Sequence, residues 1–145
     1  MKAAEFPDEI CRITAAAVQQ MTACALSAYP LEACGVLLSG TSSRIESAVP
    51  IRNGSRHPER SFSFDPEQWI PIYYAAQKNQ QIVVGFFHSH PHGSPEPSAA
   101  DYAGLPPAFA GVYCIVSLED ESPRVHAYRG ISGRLSPLVL AQIGI

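Results

Sequence analysis

The chain has 145 residues, 46% of them hydrophobic and 16% charged, with 10 Lys and Arg against 13 Asp and Glu for a formal charge of −3. That apolar content excludes a disordered or fibrous chain, and the scattered cations argue against a nucleic-acid or membrane-surface module, which binds through grouped Lys and Arg. We expect one domain over residues 1–145, long enough to bury about two-thirds of its unfolded surface without disulfide staples.

Ile10, Ile13, Ala17, Met21, Cys24 and Ala28 recur every three or four positions, which predicts an amphipathic helix from Ile10 to Ala28 with Asp8 as its cap and Pro30 beyond its end. The short apolar runs Cys34 to Gly40 and Ile45 to Ile51 then read as an antiparallel strand hairpin. Asn53 to Arg60 is a polar loop, and Ser61-Phe62-Ser63-Phe64 alternates like a brief strand. Asp65-Pro66-Glu67 has the form of a helix start, with a capping carboxylate followed by proline in the first turn. Pro71 predicts a kink or restart before Ile72 to Lys78, since an interior proline costs a helix about 3 kcal/mol.

Gln81 to His88 is the most strand-like run and suggests a central strand covered on both faces. A proline-rich loop, Pro91 to Pro97, leads to a short helix over Ser98 to Tyr102, and further strands are expected at Gly111 to Leu118 and Arg124 to Tyr128. The tail after them is ambiguous. Cys11, Cys24, Cys34 and Cys114 are widely spaced among apolar neighbours and read as buried, reduced thiols. The mixed-charge stretch Met1 to Asp8 lacks the form of a signal peptide, and the most apolar run, Ile82 to Phe87, is far too short to cross a bilayer, so a cytoplasmic protein is expected.

The chemistry concentrates in His88-Ser89-His90-Pro91, followed after six residues by Ser98-Ala99-Ala100-Asp101. Histidines at i and i+2 of an extended segment project to one face, so both imidazoles can meet one ion while Ser89 points away. Asp101, on the same helix face as Ser98, can add a carboxylate as third ligand. Two imidazoles and a carboxylate suit zinc, and three protein ligands leave the fourth tetrahedral position for water, whose pKa falls from 15.7 to about 7 on the metal. Ser98-x-x-Asp101 is also a capping box with Asp in place of the usual Glu or Gln, a role that does not exclude the first. His, His, Pro, Ser and Asp at these offsets arise by chance in a chain of this length on the order of once in 10⁵.

The stretch HSHPHGSPEPSAAD resembles the JAMM (MPN-plus) metalloprotease motif, H-[ST]-H-P-x6-S-x2-D, with every position filled. Pro30-Leu31-Glu32-Ala33-Cys34-Gly35, just ahead of an apolar strand, is similar to the place where that family carries its catalytic glutamate. Asn53 after Pro50-Ile51, and Phe64-Asp65-Pro66 ahead of the second helix, also resemble the small prokaryotic members, so the likeness covers most of the chain. Carried over residue by residue, it implies His88, His90 and Asp101 as zinc ligands, Glu32 as general acid/base and Ser98 as a hydrogen-bond donor to the oxyanion. It also implies an α+β JAMM/MPN fold, cytidine-deaminase-like, with a curved, mostly antiparallel sheet flanked by helices. Periodicity alone yields only α+β.

The same resemblance implies a zinc metallopeptidase or isopeptidase acting after the C-terminal Gly-Gly tail of a ubiquitin-like or sulfur-carrier protein, on a lysine isopeptide or an amino-acid adduct. The other readings are a non-catalytic MPN-type interaction module, a structural zinc protein, and a metallopeptidase on unrelated peptide or cell-wall substrates. The zinc-deaminase signature fails, since no PCxxC follows the histidines. His92 is read as an exposed or loop-bracing residue, His57 and His126 have no partner spacing, and neither Cys34 nor Cys114 lies in a nucleophile motif. The apolar composition permits a homodimer.

Overall fold

The computed structural model describes residues 9–41 and 43–144. Its elements are β1 (Ile10–Thr14), α1 (Ala15–Ala28), β2 (Cys34–Ser39), β3 (Ser47–Ile51), α2 (Pro66–Lys78), β4 (Ile82–His90), α3 (Ala99–Ala103), β5 (Val112–Ser117), β6 (Arg124–Ile131) and β7 (Arg134–Ile143). The strands form one sheet in the order β1-β7-β6-β5-β4-β2-β3. Pairing is parallel at β1·β7 and β4·β5 and antiparallel at the other four junctions. The two edges of this sheet meet just ahead of β3. There Ile45 N donates to Arg12 O at 2.8 Å and Thr14 N donates to Ile45 O at 3.0 Å, so the sheet curls back on itself.

Three expectations are corrected. The predicted first helix starts at Ala15, because Ile10–Thr14 is a strand paired in parallel with Val139 to Ile143. Cys11 and Ile13 are buried while Arg12 is exposed, an alternation that satisfies a strand and a helix pattern equally over so short a run. The cap is Thr14, whose hydroxyl accepts from Ala17 N at 3.1 Å; the Asp8 expected there lies outside the described residues. Second, α2 does not restart after Pro71, which sits exposed one turn and a half into a continuous helix. Its missing N–H is offset by the Asp65 cap, which accepts from Glu67 N at 3.0 Å, and by burial of Trp69, Ile72 and Ala76 against Val36, Leu38 and Ile51. Third, Ser61 to Phe64 forms only a bridge between Phe64 and Asn53.

The ambiguous tail is β7. Ser132 and Gly133, at φ 51° and 80°, make the two-residue turn that returns the chain from β6, both in the left-handed conformation such a hairpin needs. On the α1 side of the sheet, Leu37, Phe87, Cys114 and Val116 pack against Ala17, Met21 and Ala25. On the other side, Tyr113, Ile115 and Tyr128 pack with Leu105 and Phe62, next to the α2 cluster. Strand alternation therefore puts Phe87 and Ser89 on the α1 face and Phe86, His88 and His90 on the opposite face. Cys11, Cys34 and Cys114 are buried and Cys24 is partly buried, all as free thiols, in agreement with the composition. Among the described residues no helix is long and apolar enough to cross a membrane.

β4 approaches its neighbours closely because Gly85 has no side chain: a Cβ there would overlap the Val112 carbonyl of β5. Gly85→Ala is expected to force the strands apart at a cost of about 3 kcal/mol, lowering Tm by roughly 10 °C in a thermal melt.

Candidate metal centre

The site is built where β4 ends, from three segments that sheet pairing brings together. Cys34 of β2 lies opposite His88 of β4. Ala33 and Ser89 continue this pairing: Ser89 N donates to Ala33 O at 3.0 Å, and Ala33 N donates to Ser89 Oγ at 2.8 Å. Extended one residue further, the register sets Glu32 opposite His90, on the face shared by His88 and His90. The loop after Pro91 then returns α3 over the strand end.

His88, His90 and Asp101 converge there, all three buried, with their ligand atoms within 4.8 Å of one another. His88 Nε2 is 3.1 Å from Asp101 Oδ1 and His90 Nε2 is 3.0 Å from Asp101 Oδ2. Two imidazoles and a carboxylate gathered this closely are a donor set that suits zinc. His90 Nδ1 donates to the Ser94 carbonyl at 2.6 Å, which fixes the tautomer and turns the Nε2 lone pair toward Asp101. Two lone pairs facing each other need a positive charge between them, either a proton or a metal ion. His88 adds a second indication: its Nδ1 is buried without a hydrogen-bond partner, and its buried Nε2 faces the Asp101 carboxylate. Its ring is stacked on Phe62 at 4.6 Å and meets Tyr113 edge-on at 5.3 Å, so it is held rigidly by apolar contact.

The electrostatics follow from burial. Burial holds the His88 imidazole below its ordinary pKa and therefore neutral. Burial also disfavours charge on His90, but the Asp101 carboxylate and the Ser94 carbonyl outweigh it and raise the pKa. Burial alone would raise Asp101, yet the two imidazoles facing it hold its carboxyl well below the usual range. Asp101 also accepts from Ser98 N at 2.9 Å, and Ser98 Oγ accepts from Asp101 N at 3.1 Å, so the capping box is complete. One carboxylate thus closes α3 and faces both histidines.

Glu32 is buried, with Oε1 lacking any hydrogen-bond partner. Burial pushes its carboxyl up to about 7, with His90 pulling it down and Asp101 pushing it up. Its backbone is pinned on both sides: Glu32 N donates to Pro58 O at 2.7 Å and Asn53 Nδ2 donates to Glu32 O at 3.1 Å. Asn53 also orders the 53–63 loop, donating to Ser61 O and accepting from the amides of Ser55 and Ser63.

His92 is exposed and meets Tyr29 edge-on at 5.3 Å, outside the cluster. His57 and His126 are exposed on the loop and on β6. Sequence reasoning missed the bracing roles of Ser89, Pro58 and Phe62, and knew Asn53 only by resemblance. Ser89 carries a signal in its place between two outward-facing histidines, whereas Phe62 and Pro58 depend on a loop conformation that no local pattern encodes.

The model for prokaryotic homologs of the JAB domain matches residues 14–129 of this sequence. This chain belongs to the prokaryotic JAB-domain family. It is 38% identical over 73 residues to a desampylase of Haloferax volcanii, a match covering 50% of this chain and 52% of that one. It is 30% identical over 128 residues to a CysO-cysteine peptidase of Mycobacterium tuberculosis, covering 86% of this chain and 85% of that protein. The chain therefore spans about half the length of the desampylase and most of the peptidase. Its fold superposes on a Desulfitobacterium hafniense protein with TM-score 0.81 and 26% identity, over 93% and 94% of the two chains. A JAB1/MPN domain protein of Archaeoglobus fulgidus matches with TM-score 0.58 and 20% identity, over 90% and 97%. The architecture is the α+β JAB/MPN fold, and His88, His90 and Asp101 form a candidate metal site within it.

Two outcomes test this JAB-domain centre. His88→Ala and Asp101→Asn are each expected to cut bound zinc from about one ion per chain to under a tenth, read by elemental analysis after dialysis. Ser89→Ala leaves the buried Ala33 N–H without an acceptor and is expected to cost about 1–3 kcal/mol in denaturant unfolding.

Proposed function

We propose that this JAB-domain chain is a zinc-dependent peptidase that hydrolyses the amide bond following the C-terminal Gly-Gly tail of a ubiquitin-like or sulfur-carrier protein. The observation that carries the reading is the convergence of His88, His90 and Asp101 with the buried Glu32, whose Oε1 is unpartnered and whose carboxyl feels the charges of His90 and Asp101. A structural zinc site would close its fourth position with another ligand, and an interaction module needs neither the ligand trio nor a carboxyl with a pKa raised to about 7. The names of the desampylase and the CysO-cysteine peptidase support a carrier-protein substrate.

His88 and His90 through Nε2, with Asp101, would hold the zinc ion. When bound there, zinc supplies a Lewis acid that polarises the scissile carbonyl and lowers the pKa of water. Glu32 is the proton carrier. Its raised pKa lets it accept a proton from the attacking water and deliver it to the leaving nitrogen as the C–N bond breaks, giving a carboxylate on the tail and a free amine. Ser98 Oγ uses a lone pair to cap α3, which leaves its O–H free to donate to the oxygen of the tetrahedral intermediate. The Ala33–Ser89 bonds and the Pro58 carbonyl restrain the Glu32 backbone and so help fix where its carboxyl sits.

Glu32→Gln is isosteric and removes only the proton relay. It is expected to retain about one zinc per chain and to lower kcat on Gly-Gly-linked adducts by about 10² to 10⁴, followed by mass measurement of the products. Full activity in the variant would remove Glu32 from the mechanism, and failure of wild type to cut either lysine-linked or amino-acid-linked carriers would remove the substrate class.

A further inference from the structure

A cleft of about 400 Å³ opens beside the metal centre and shares Asp101 with it. Its walls are Phe62 and Phe64 from the 61–64 segment, Trp69 of α2, Phe86 and Tyr113 from the sheet, and Leu105 after α3. Phe64 meets Phe62, Trp69 and Phe86 at ring-centroid distances of 6.0, 5.7 and 5.5 Å, yet these four residues are each only partly buried, so the joined rings form an apolar wall with a face left open to the cleft. Asp101 is the one charged side chain among the described lining residues, and its oxygens are turned to His88, His90 and the Ser98 amide. Ser61, Ser63 and the Tyr113 hydroxyl are the other polar groups of a lining that is mainly apolar, so a charged occupant finds no countercharge here. An apolar one gains the full benefit of leaving water.

The position of the cleft sets which part of a substrate reaches it. None of its described lining residues comes from Pro30 to Ala33, the segment carrying the proton donor to the leaving amine. It lies instead along α3, which is capped by Ser98 and includes Asp101. With the leaving amine at Glu32 and the carbonyl oxygen at Ser98, the acyl chain runs along α3 toward the cleft. Two extended glycines span about 7 Å and have no side chain to fill such a space. Resting on the reading of a Gly-Gly substrate, we propose that this cleft is the subsite for a bulky aliphatic or aromatic side chain at one of the two positions upstream of the Gly-Gly. The carrier recognised by this chain then has an apolar residue there, and the cleft, in addition to the glycines, selects it.

Trp69 lines the cleft and is the single tryptophan of the sequence, so its fluorescence reports occupancy without any turnover. The zinc-loaded Glu32→Gln protein is titrated with acetylated tetrapeptides ending in Gly-Gly that carry Leu, Ser or Asp at each of the two upstream positions in turn, and wild type is assayed on the same peptides as C-terminal amides of a fluorogenic amine. At one upstream position Leu is expected to bind roughly ten- to a hundredfold more tightly than Ser or Asp, with a shift in Trp69 emission, and to raise kcat/KM by a similar factor. Equal binding of all peptides, or no emission change with any, overturns the subsite. Hydrolysis of all peptides at one rate also overturns it while leaving the proposed function standing. Selective binding of the Leu peptides without hydrolysis of any supports the subsite and counts against the proposed function.

Discussion

The Asp101 carboxylate is the interaction on which the site depends. It is buried, and a buried carboxylate is tolerated only where positive charge and hydrogen-bond donors surround it. This one has the two imidazoles of β4 on one side and the Ser98 amide on the other. A single group therefore starts a five-residue helix too short to persist alone, ties it to the central strand, and presents oxygen to a cation. The cap and the metal-ligand geometry reinforce each other: the cap fixes the side chain, and the histidines determine where it is needed.

The second constraint is the alternation of β4. Phe87 and Ser89 serve the α1 face while Phe86, His88 and His90 serve the other, and this parity assigns each residue its work. Phe87 anchors the core. Ser89 grips Ala33 and so holds the segment carrying Glu32. A motif that looks like two ligands and a spacer is in fact two ligands and a brace. The parallel junction with β5 sets Tyr113 against His88 and completes an apolar wall that keeps the imidazole neutral and oriented.

The sequence made some of this legible and concealed the rest for identifiable reasons. The ligands and the cap were readable because i, i+2 on a strand and i, i+3 on a helix are local geometries. β2, β3, α2 and β5 were readable because their apolar runs are long enough to show a period. β1 was misread as helix because five residues fit both periods, and its partner β7 lies more than a hundred residues away. Pro71 was weighed on its own, whereas the packing of Trp69, Ile72 and Ala76 outweighs one missing hydrogen bond. The loop bracing by Asn53 and Pro58 depends on a side-chain-to-backbone bond from Asn53 to Glu32 and a backbone bond between Glu32 and Pro58, 26 positions apart, with no periodic signature.

By itself, then, the amino-acid order determined the inventory: two imidazoles and a carboxylate at metal-ligand spacing, a serine able to cap, and an α+β distribution of elements. Tertiary structure alone decided that Glu32, otherwise one acid among several, sits opposite His90 with a buried, unpartnered oxygen, and that five aromatic rings line an open cleft beside the metal centre. The reason is physical. Ligand spacing is set by bond lengths along one segment, whereas a raised carboxyl pKa and an apolar cleft are properties of space enclosed by segments that meet only when the sheet curls.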